Sequence, residues 1–320
     1  MVSVVIPTYK REDAVLRALK GVLKQTYTDI EIIVVDDNGK GNEHQIATEK
    51  AVLSLDNPCI RYVVHPENRG GCAARNTGIK EARGDFIAFL DDDDVWSDEF
   101  IELMLPYFEK KEIGAVYCNY YSYNGILSVA YKKDTNHSGD VYRNILSGWC
   151  PASTSLFIVK RNSIIQAGLF DEELKSFQDY DMWLRLSKVC EFAYCKERLV
   201  LKYEGFDEQT SRNPERRKAG YKHVVEKYEN SLSTEDKIYF KKFTDIYYYD
   251  TLYRETIYNH SHKISYKRQM RELLKRKGAL NQKIHLLSYL CFPRSFYALV
   301  YKTLKRFDKD CIVYKGQYPV

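Results

Sequence analysis

Four consecutive aspartates, Asp91 to Asp94, close the apolar run Asp85-Phe-Ile-Ala-Phe-Leu90. The run predicts a buried strand. Its carboxylates then leave together from the C-terminal edge, where open α/β sheets bind ligands. Clustered negative charges raise one another's pKa and need a counter-charge to stay ionised. A hard divalent cation carrying phosphates supplies one; the alternative is a solvated acidic turn capping a helix that starts near Ser97. Three other sets of residues have the chemistry to share such a site. Asp36 and Asp37 end a second apolar run, Arg75 and Asn76 lie in a stretch of small residues, and Asp179 and Asp181 open a helical pattern carrying Trp183.

Elements of alternating type must position these groups. Val2–Ile6, Ile30–Val35, Ile60–Val64 and Phe86–Leu90 have strand character, and Arg11–Lys24, Glu43–Leu55 and Cys72–Ala82 between them have helical character. Strands separated by helices of this length predict βαβ units and a mainly parallel sheet. A helix over Ser97–Lys110 and a strand over Ala115–Tyr120 follow. Next come a strand at Thr154–Val159, a short helix at Asn162–Ala167, a helix at Asp179–Ser187 and a last strand at Arg198–Tyr203. Glu204–Pro214 has the composition of a polar loop. From Glu215 the chain predicts helices rich in tyrosine and lysine.

The 320 residues are 44% hydrophobic and 29% charged, a globular composition. No 18-residue apolar run predicts a membrane-spanning helix. The chain opens directly on a strand without the pattern of a signal peptide. Its eight cysteines form no Cys-x-x-Cys pair, so reduced structural thiols and a cytoplasmic protein are expected. The net charge of +5 hides an asymmetry: from Arg212 onward there are 24 Lys and Arg against 11 Asp and Glu, a net of +13. Ile284–Phe292 and Pro293–Phe307 are amphipathic, with aromatic and basic residues, and suit peripheral contact with an anionic membrane. Packing on the domain or in a homo-oligomer is the alternative. No nucleic-acid module accompanies the charge, so no nucleic-acid partner is expected.

Five motifs occur in order. They are Val2-Ser-Val-Val-Ile-Pro-Thr-Tyr-Lys-Arg11, Val34-Val-Asp-Asp37, Asn68-Arg-Gly-Gly-Cys-Ala-Ala-Arg-Asn-Thr-Gly78, Phe89-Leu-Asp-Asp-Asp-Asp94, and Gly168-Leu-Phe-Asp-Glu-Glu-Leu174 with Gln178-Asp-Tyr-Asp-Met-Trp-Leu-Arg-Leu186. Together, over about residues 2–212, they resemble the inverting family 2 glycosyltransferases of bacterial surface-polysaccharide synthesis. The resemblance implies an α/β, Rossmann-like GT-A fold with a mixed, mainly parallel sheet and an α-helical C-terminal extension. It implies a catalytic domain over residues 1–212, its nucleotide-sugar half near 1–95 and its acceptor half near 96–212, followed by a helical region over 213–320.

The same resemblance assigns roles. Pro7, Thr8, Tyr9 and Arg11 would line the nucleotide, with Pro7 ending strand pairing so that the Tyr9 ring meets a planar base. Asp37, with Asp36 beside it, would accept the uracil imide N–H; the alternative is a capped turn into Asn38-Gly39, where the family has Gly-Ser. Asn68 and Arg75 would lie beside the nucleotide, the alternative for Arg75 being a solvated surface residue. Asp91 would touch ribose or metal, Asp92 would be the spacer on the nucleotide side, and Asp93 with Asp94 would hold Mn²⁺ or Mg²⁺. The family's metal-ligating His is missing from the loop after the last strand. Asp207 would replace it, with Glu204 the other oxygen donor and Ser211 and Arg212 near the diphosphate. Asp179 would be the catalytic base and Asp181 its competitor, with Gln178 where the family has Glu.

The activity implied is transfer from a nucleotide sugar, UDP-linked, to a hydroxyl of a glycan or lipid-linked glycan. Two rivals remain: an inactive glycan- or partner-binding module, and a sugar-nucleotide pyrophosphorylase. The glycine-rich N-terminal loop of the latter is absent.

Overall fold

The computed structural model describes residues 1–123, 128–130, 136–151, 153–203 and 213–258. The first half alternates as the spacing predicts: β1 (Val2–Thr8), α1 (Glu12–Val22), β2 (Ile30–Asp36), α2 (Glu43–Leu53), β3 (Ile60–Val64), α3 (Gly71–Glu81) and β4 (Phe86–Phe89). Helix α1 forms because Val15, Ala18, Leu19 and Val22 repeat at helical spacing and bury one stripe. Asn42 caps α2 by accepting from the Gln45 N–H at 2.9 Å. Helix α3 lies close over β1 because Gly78 has no side chain: a Cβ there would sit 2.2 Å from Val5 Cγ1.

The second half supplies β5 (Asp94–Trp96), α4 (Phe100–Met104), β6 (Ile113–Tyr123), β7 (Ser128–Ala130), α5 (Tyr142–Leu146), β8 (Phe157–Lys160), α6 (Arg161–Gln166), α7 (Gln178–Leu186) and β9 (Glu191–Tyr203). Helices α8 (Pro214–Tyr228) and α9 (Thr234–Tyr258) follow. One sheet runs β3-β2-β1-β4-β8-β6-β9-β5, with β7 beside β6. Strands β1 to β4 are mutually parallel, β8 runs antiparallel between β4 and β6, and β9 is parallel to β6. After β1 the chain adds β2 and β3 on one side and then β4 on the other. That reversal of strand order opens a crevice at the C-terminal ends of β1 and β4.

Several sequence expectations need correction. Pro7 does not end strand pairing: β1 continues to Thr8, opposite Asp36. Its pairing with β4 stops at Val5, so at Pro7 only β2 flanks the strand and the missing N–H is tolerated as at an edge. The helix expected over Ser97–Lys110 begins at Phe100 and gives way at Leu105 to a 3₁₀ turn. Two causes stand out. Asp94–Trp96 is taken into the sheet by β9, and Pro106 cannot continue an α-helix. The 154–159 strand starts at Phe157, after a 3₁₀ turn over Thr154–Leu156. The last strand is longer than the expected Arg198–Tyr203, and a register shift against β6 absorbs its charged middle, Lys196-Glu197-Arg198.

Aromatic contacts close the core and dock the C-terminal helices. Trp183 of α7 stacks on Phe157 at 3.8 Å, and Trp96 stacks on Phe100 at 4.0 Å. Tyr180 of α7 stacks on Phe243 of α9 at 4.3 Å, and Tyr221 of α8 on Tyr247 of α9 at 3.7 Å. Helix α9 therefore packs on α7, the helix that carries Asp179, and α8 packs on α9. The 284–292 and 293–307 segments lie outside the described residues.

Candidate active site

The crevice between the ends of β1 and β4 is spanned by side chains of the aspartate run. Thr8 Oγ1 donates to Asp92 Oδ2 at 2.9 Å. The guanidinium of Arg11, just before α1, reaches Asp92 Oδ1 at 3.0 Å and Asp93 Oδ2 at 2.7 Å. From α3, Arg75 Nη2 meets Asp91 Oδ1 at 2.5 Å, and the Thr154 hydroxyl donates to the same oxygen at 3.2 Å. The Asp91 N–H donates to Ser155 Oγ at 3.0 Å. Asp94 begins β5, is buried at 1% exposure, and faces Lys202 Nζ at 3.3 Å from the neighbouring strand. The four carboxylates thus separate onto three cations instead of leaving the strand as one solvated turn.

This sharing sets their protonation. Burial pushes the Asp94 carboxyl up to about 7, with Asp91 and Asp93 adding repulsion and Lys202 opposing it. Burial likewise pushes Asp92 up to about 6 against the pull of Arg11. At Asp91 burial acts upward too, but Arg75 and Lys202 outweigh it and hold the group below the ordinary range. Carboxylate oxygens of Asp91, Asp93 and Asp94 lie within 4.8 Å of one another. Three hard oxygen donors at that spacing, in a run whose four carboxylates outnumber their three cations, fit a hard divalent cation.

Asp36 and Asp37 are both buried. Asp36 accepts from Tyr62 Oη and from the Asn38 N–H. Asp37 Oδ1 accepts from the Arg69 N–H at 2.8 Å and from His65 Nδ1 at 2.7 Å, and Oδ2 accepts from the Gly70 N–H at 2.7 Å. Asn68 donates to the Asp37 carbonyl at 3.1 Å. Asp37 therefore shapes the turn into α3, where Gly70 takes φ +90°, and among the described residues its Oδ2 takes a single hydrogen bond. Tyr9, 40% exposed, lies at the mouth of β1 with the Lys10 amine over its ring.

On α7 the two aspartates differ. Asp181 is fully buried, and Arg185, Lys227 and Tyr228 satisfy its oxygens at 2.7–3.0 Å. Asp179 is half-buried and makes no hydrogen bond with a described residue. Burial pushes it up to about 6; Arg75 and Lys202 pull it down and Asp91 pushes it up, so it shares the field of the crevice. Gln178 spends its amide on the Leu174 carbonyl at 2.9 Å. Asn76 is no projecting polar group: it clips α3 to the 168–172 segment through the Phe170 N–H and carbonyl, each at 2.9 Å.

Arg75 is buried, which removes the solvated alternative. Asp207, Glu204, Ser211 and Arg212 lie outside the described residues. Residues that sequence reasoning missed include Lys202, Ser153, Thr154 and Ser155. For Lys202 a signal existed, a charge at the end of the apolar Leu199-Val200-Leu201. The serines and threonine gave none. A groove of about 610 Å³ lined by Tyr107, Glu109, Glu191 and Phe192 lies at the opposite ends of β6 and β9 and contains none of these groups.

Such a fold places the crevice at a topological switch point, where open α/β sheets bind their ligands. Residues 3–165 match the family model for glycosyl transferase family 2. The chain belongs to that family. It is 29% identical over 256 residues to an Escherichia coli K12 protein, WcaA, named as a colanic acid biosynthesis glycosyl transferase, covering 75% of this chain and 85% of that one. It is 36% identical over 120 residues to WfgD of Escherichia coli, named as a UDP-Glc:α-D-GlcNAc-diphosphoundecaprenol β-1,3-glucosyltransferase, covering 38% of this chain and 46% of WfgD. The Staphylococcus aureus TarS fragment 1–349 in complex with UDP-GlcNAc superposes with a TM-score of 0.57 at 18% identity, over 89% of this chain and 78% of that one. That likeness shows the shared GT-A fold. Asp179 lies beyond the residues the family model matches.

Proposed function

We propose that this chain is an inverting glycosyltransferase that moves a sugar from a UDP-linked donor to a hydroxyl of a lipid-linked or polysaccharide precursor in surface-glycan synthesis. The observation that carries the reading is the pairing of a carboxylate crevice with Asp179, an acid free of hydrogen bonds to described residues yet within the field of Arg75, Asp91 and Lys202. At neutral pH a carboxylate with a pKa raised to about 6 is mostly ionised and a better base than an ordinary aspartate. Asp179 takes the acceptor proton as that oxygen bonds to the sugar C1, and the C1–O bond to the diphosphate breaks on the opposite face. Inversion follows from the single displacement.

Asp91, Asp93 and Asp94 would hold Mn²⁺ or Mg²⁺, which neutralises charge on the departing diphosphate. Arg75 and Arg11 hold neighbouring carboxylates in place. Tyr9 offers a face to the base, and Asp37 Oδ2 retains a lone pair for an imide N–H. The names of WcaA and WfgD support a surface-glycan acceptor, and the TarS complex supports a UDP-sugar donor. Among the described residues no helix is long and apolar enough to cross a membrane. The basic C-terminal region would bring a peripheral enzyme to a lipid-linked acceptor at the inner face of the membrane.

The test is turnover of a UDP-sugar panel with Mn²⁺, with EDTA, and with Mn²⁺ restored. Transfer should fall at least about a hundredfold on chelation and return with the metal. Undiminished transfer in EDTA would remove the metal from the reading.

A further inference from the structure

The crevice holds more positive charge than the motifs announce. Asp91 to Asp94 and Asp179 face three cations, Arg11, Arg75 and Lys202, which leaves a formal charge of −2 that one divalent ion cancels. The three cations are not equivalent. Arg11 and Arg75 hold their carboxylates at 2.7 and 2.5 Å, whereas Lys202 Nζ stands 3.3 Å from Asp94 Oδ2 and bonds more closely to Ser153 Oγ at 2.7 Å. A bond of 3.3 Å is a weak one. A lysine ammonium is a compact point charge with three donors on a flexible stem, while a guanidinium is a rigid fork. With described residues Lys202 uses two of those donors, and its side chain is 23% exposed. The backbone beneath it is fixed, because Lys202 pairs with Asp94 in the β5–β9 ladder. Only the stem is free to swing.

We propose that Lys202 is the chain's own mobile cation for this crevice: it balances Asp94 while the donor is absent, and donates to the donor diphosphate once a divalent ion joins the carboxylates. This rests on the metal-assisted nucleotide-sugar reading above. It gives two effects of opposite sign. An ammonium beside a divalent ion repels it, so Lys202 weakens metal binding in the free protein. The same ammonium strengthens nucleotide binding in the metal-loaded protein through a charge-assisted hydrogen bond to phosphate. A lysine that only closes a structural ion pair would not move the two constants in opposite directions.

The experiment measures Mn²⁺ affinity of the free protein by electron paramagnetic resonance and UDP affinity at saturating Mn²⁺ by calorimetry. In Lys202→Met, Mn²⁺ should bind about threefold to tenfold more tightly. UDP should bind at least about tenfold more weakly. Lys202→Arg should keep UDP affinity within about threefold, since the charge and donors remain. If Lys202→Met does not fold, Lys202→Gln is read by the same two constants. UDP affinity within about twofold of the parent, or Mn²⁺ affinity that is unchanged or weaker, overturns the role of Lys202. A parent protein that binds neither Mn²⁺ nor UDP overturns instead the reading on which it rests.

Discussion

The carboxylate crevice at the ends of β1 and β4 and the clasp between α7 and α8 use the same residue types to opposite ends. In the clasp Asp181 is buried and saturated by Arg185, Lys227 and Tyr228, and Lys227 also holds Asp171 at 2.6 Å. Burial would raise Asp171, but Lys227 and His223 outweigh it and the group sits below the ordinary range. In the crevice the carboxylates outnumber their cations, and Asp92, Asp94 and Asp179 are pushed up to about 6, 7 and 6. A fully paired acid holds structure, whereas an under-compensated one keeps capacity for a metal, a donor or a proton. Two residues on one helix, Asp179 and Asp181, carry this difference.

The strongest way to break the comparison is to neutralise each in turn. Asp179→Asn should lower kcat by about a thousandfold or more. Its melting temperature and UDP affinity should stay close to the parent values. Asp181→Asn should do the reverse, destabilising the fold while each folded molecule turns over within a few-fold of normal. Steady-state kinetics beside thermal unfolding checks both, and near-normal turnover by Asp179→Asn would sink its role as the base.

The pH profile comes next. A base must be deprotonated to act, so with Asp179 at about 6 kcat should rise through that pH and level off above it. Below pH 6 the fall should approach about tenfold per unit. A flat profile from pH 5 to 8 would place the base elsewhere.

Lys227→Met probes the clasp, with a smaller effect. It strips an ammonium shared by Asp171 and Asp181, and with Lys227 28% exposed the loss should be about 2 kcal/mol in urea unfolding. The folded-state pKa of Asp171 is depressed, so its stabilisation is present above its unfolded pKa and fades as pH falls through the folded one. The gap between variant and parent should therefore narrow in acid. A constant gap would assign the effect to packing.

Much of the crevice was legible because it is built from the ends of buried strands. The β1, β2 and β4 runs mark their own termini, and Thr8, Arg11 and Asp91 to Asp94 sit at those termini. What sequence could not supply was pairing. Lys202 reaches the site only through the β5–β9 register, and β5 itself was hidden in an acidic run that resembles a turn. Asp181 and Asp179 share the same helix, and local pattern shows only Arg185 at i+4 from Asp181; its other partners, on α8 about 46 residues later, are invisible to it. Asp37 shows a further limit: its place was clear, but three internal donors decide how much of its carboxylate remains for a ligand.

The smallest effect concerns Gln178, which stands beside the base. Its amide donates to the Leu174 carbonyl and adds no charge to the crevice. Gln178→Glu removes that donor and places a second carboxylate next to Asp179. A like charge disfavours ionisation, so the acid limb of kcat should move upward by about half a pH unit. At pH 8 both enzymes are fully deprotonated and turnover should differ by less than about twofold. A limb that stays in place would mean that the field at Asp179 is set by Arg75, Asp91 and Lys202 alone, making the crevice electrostatically separate from the helix that serves it.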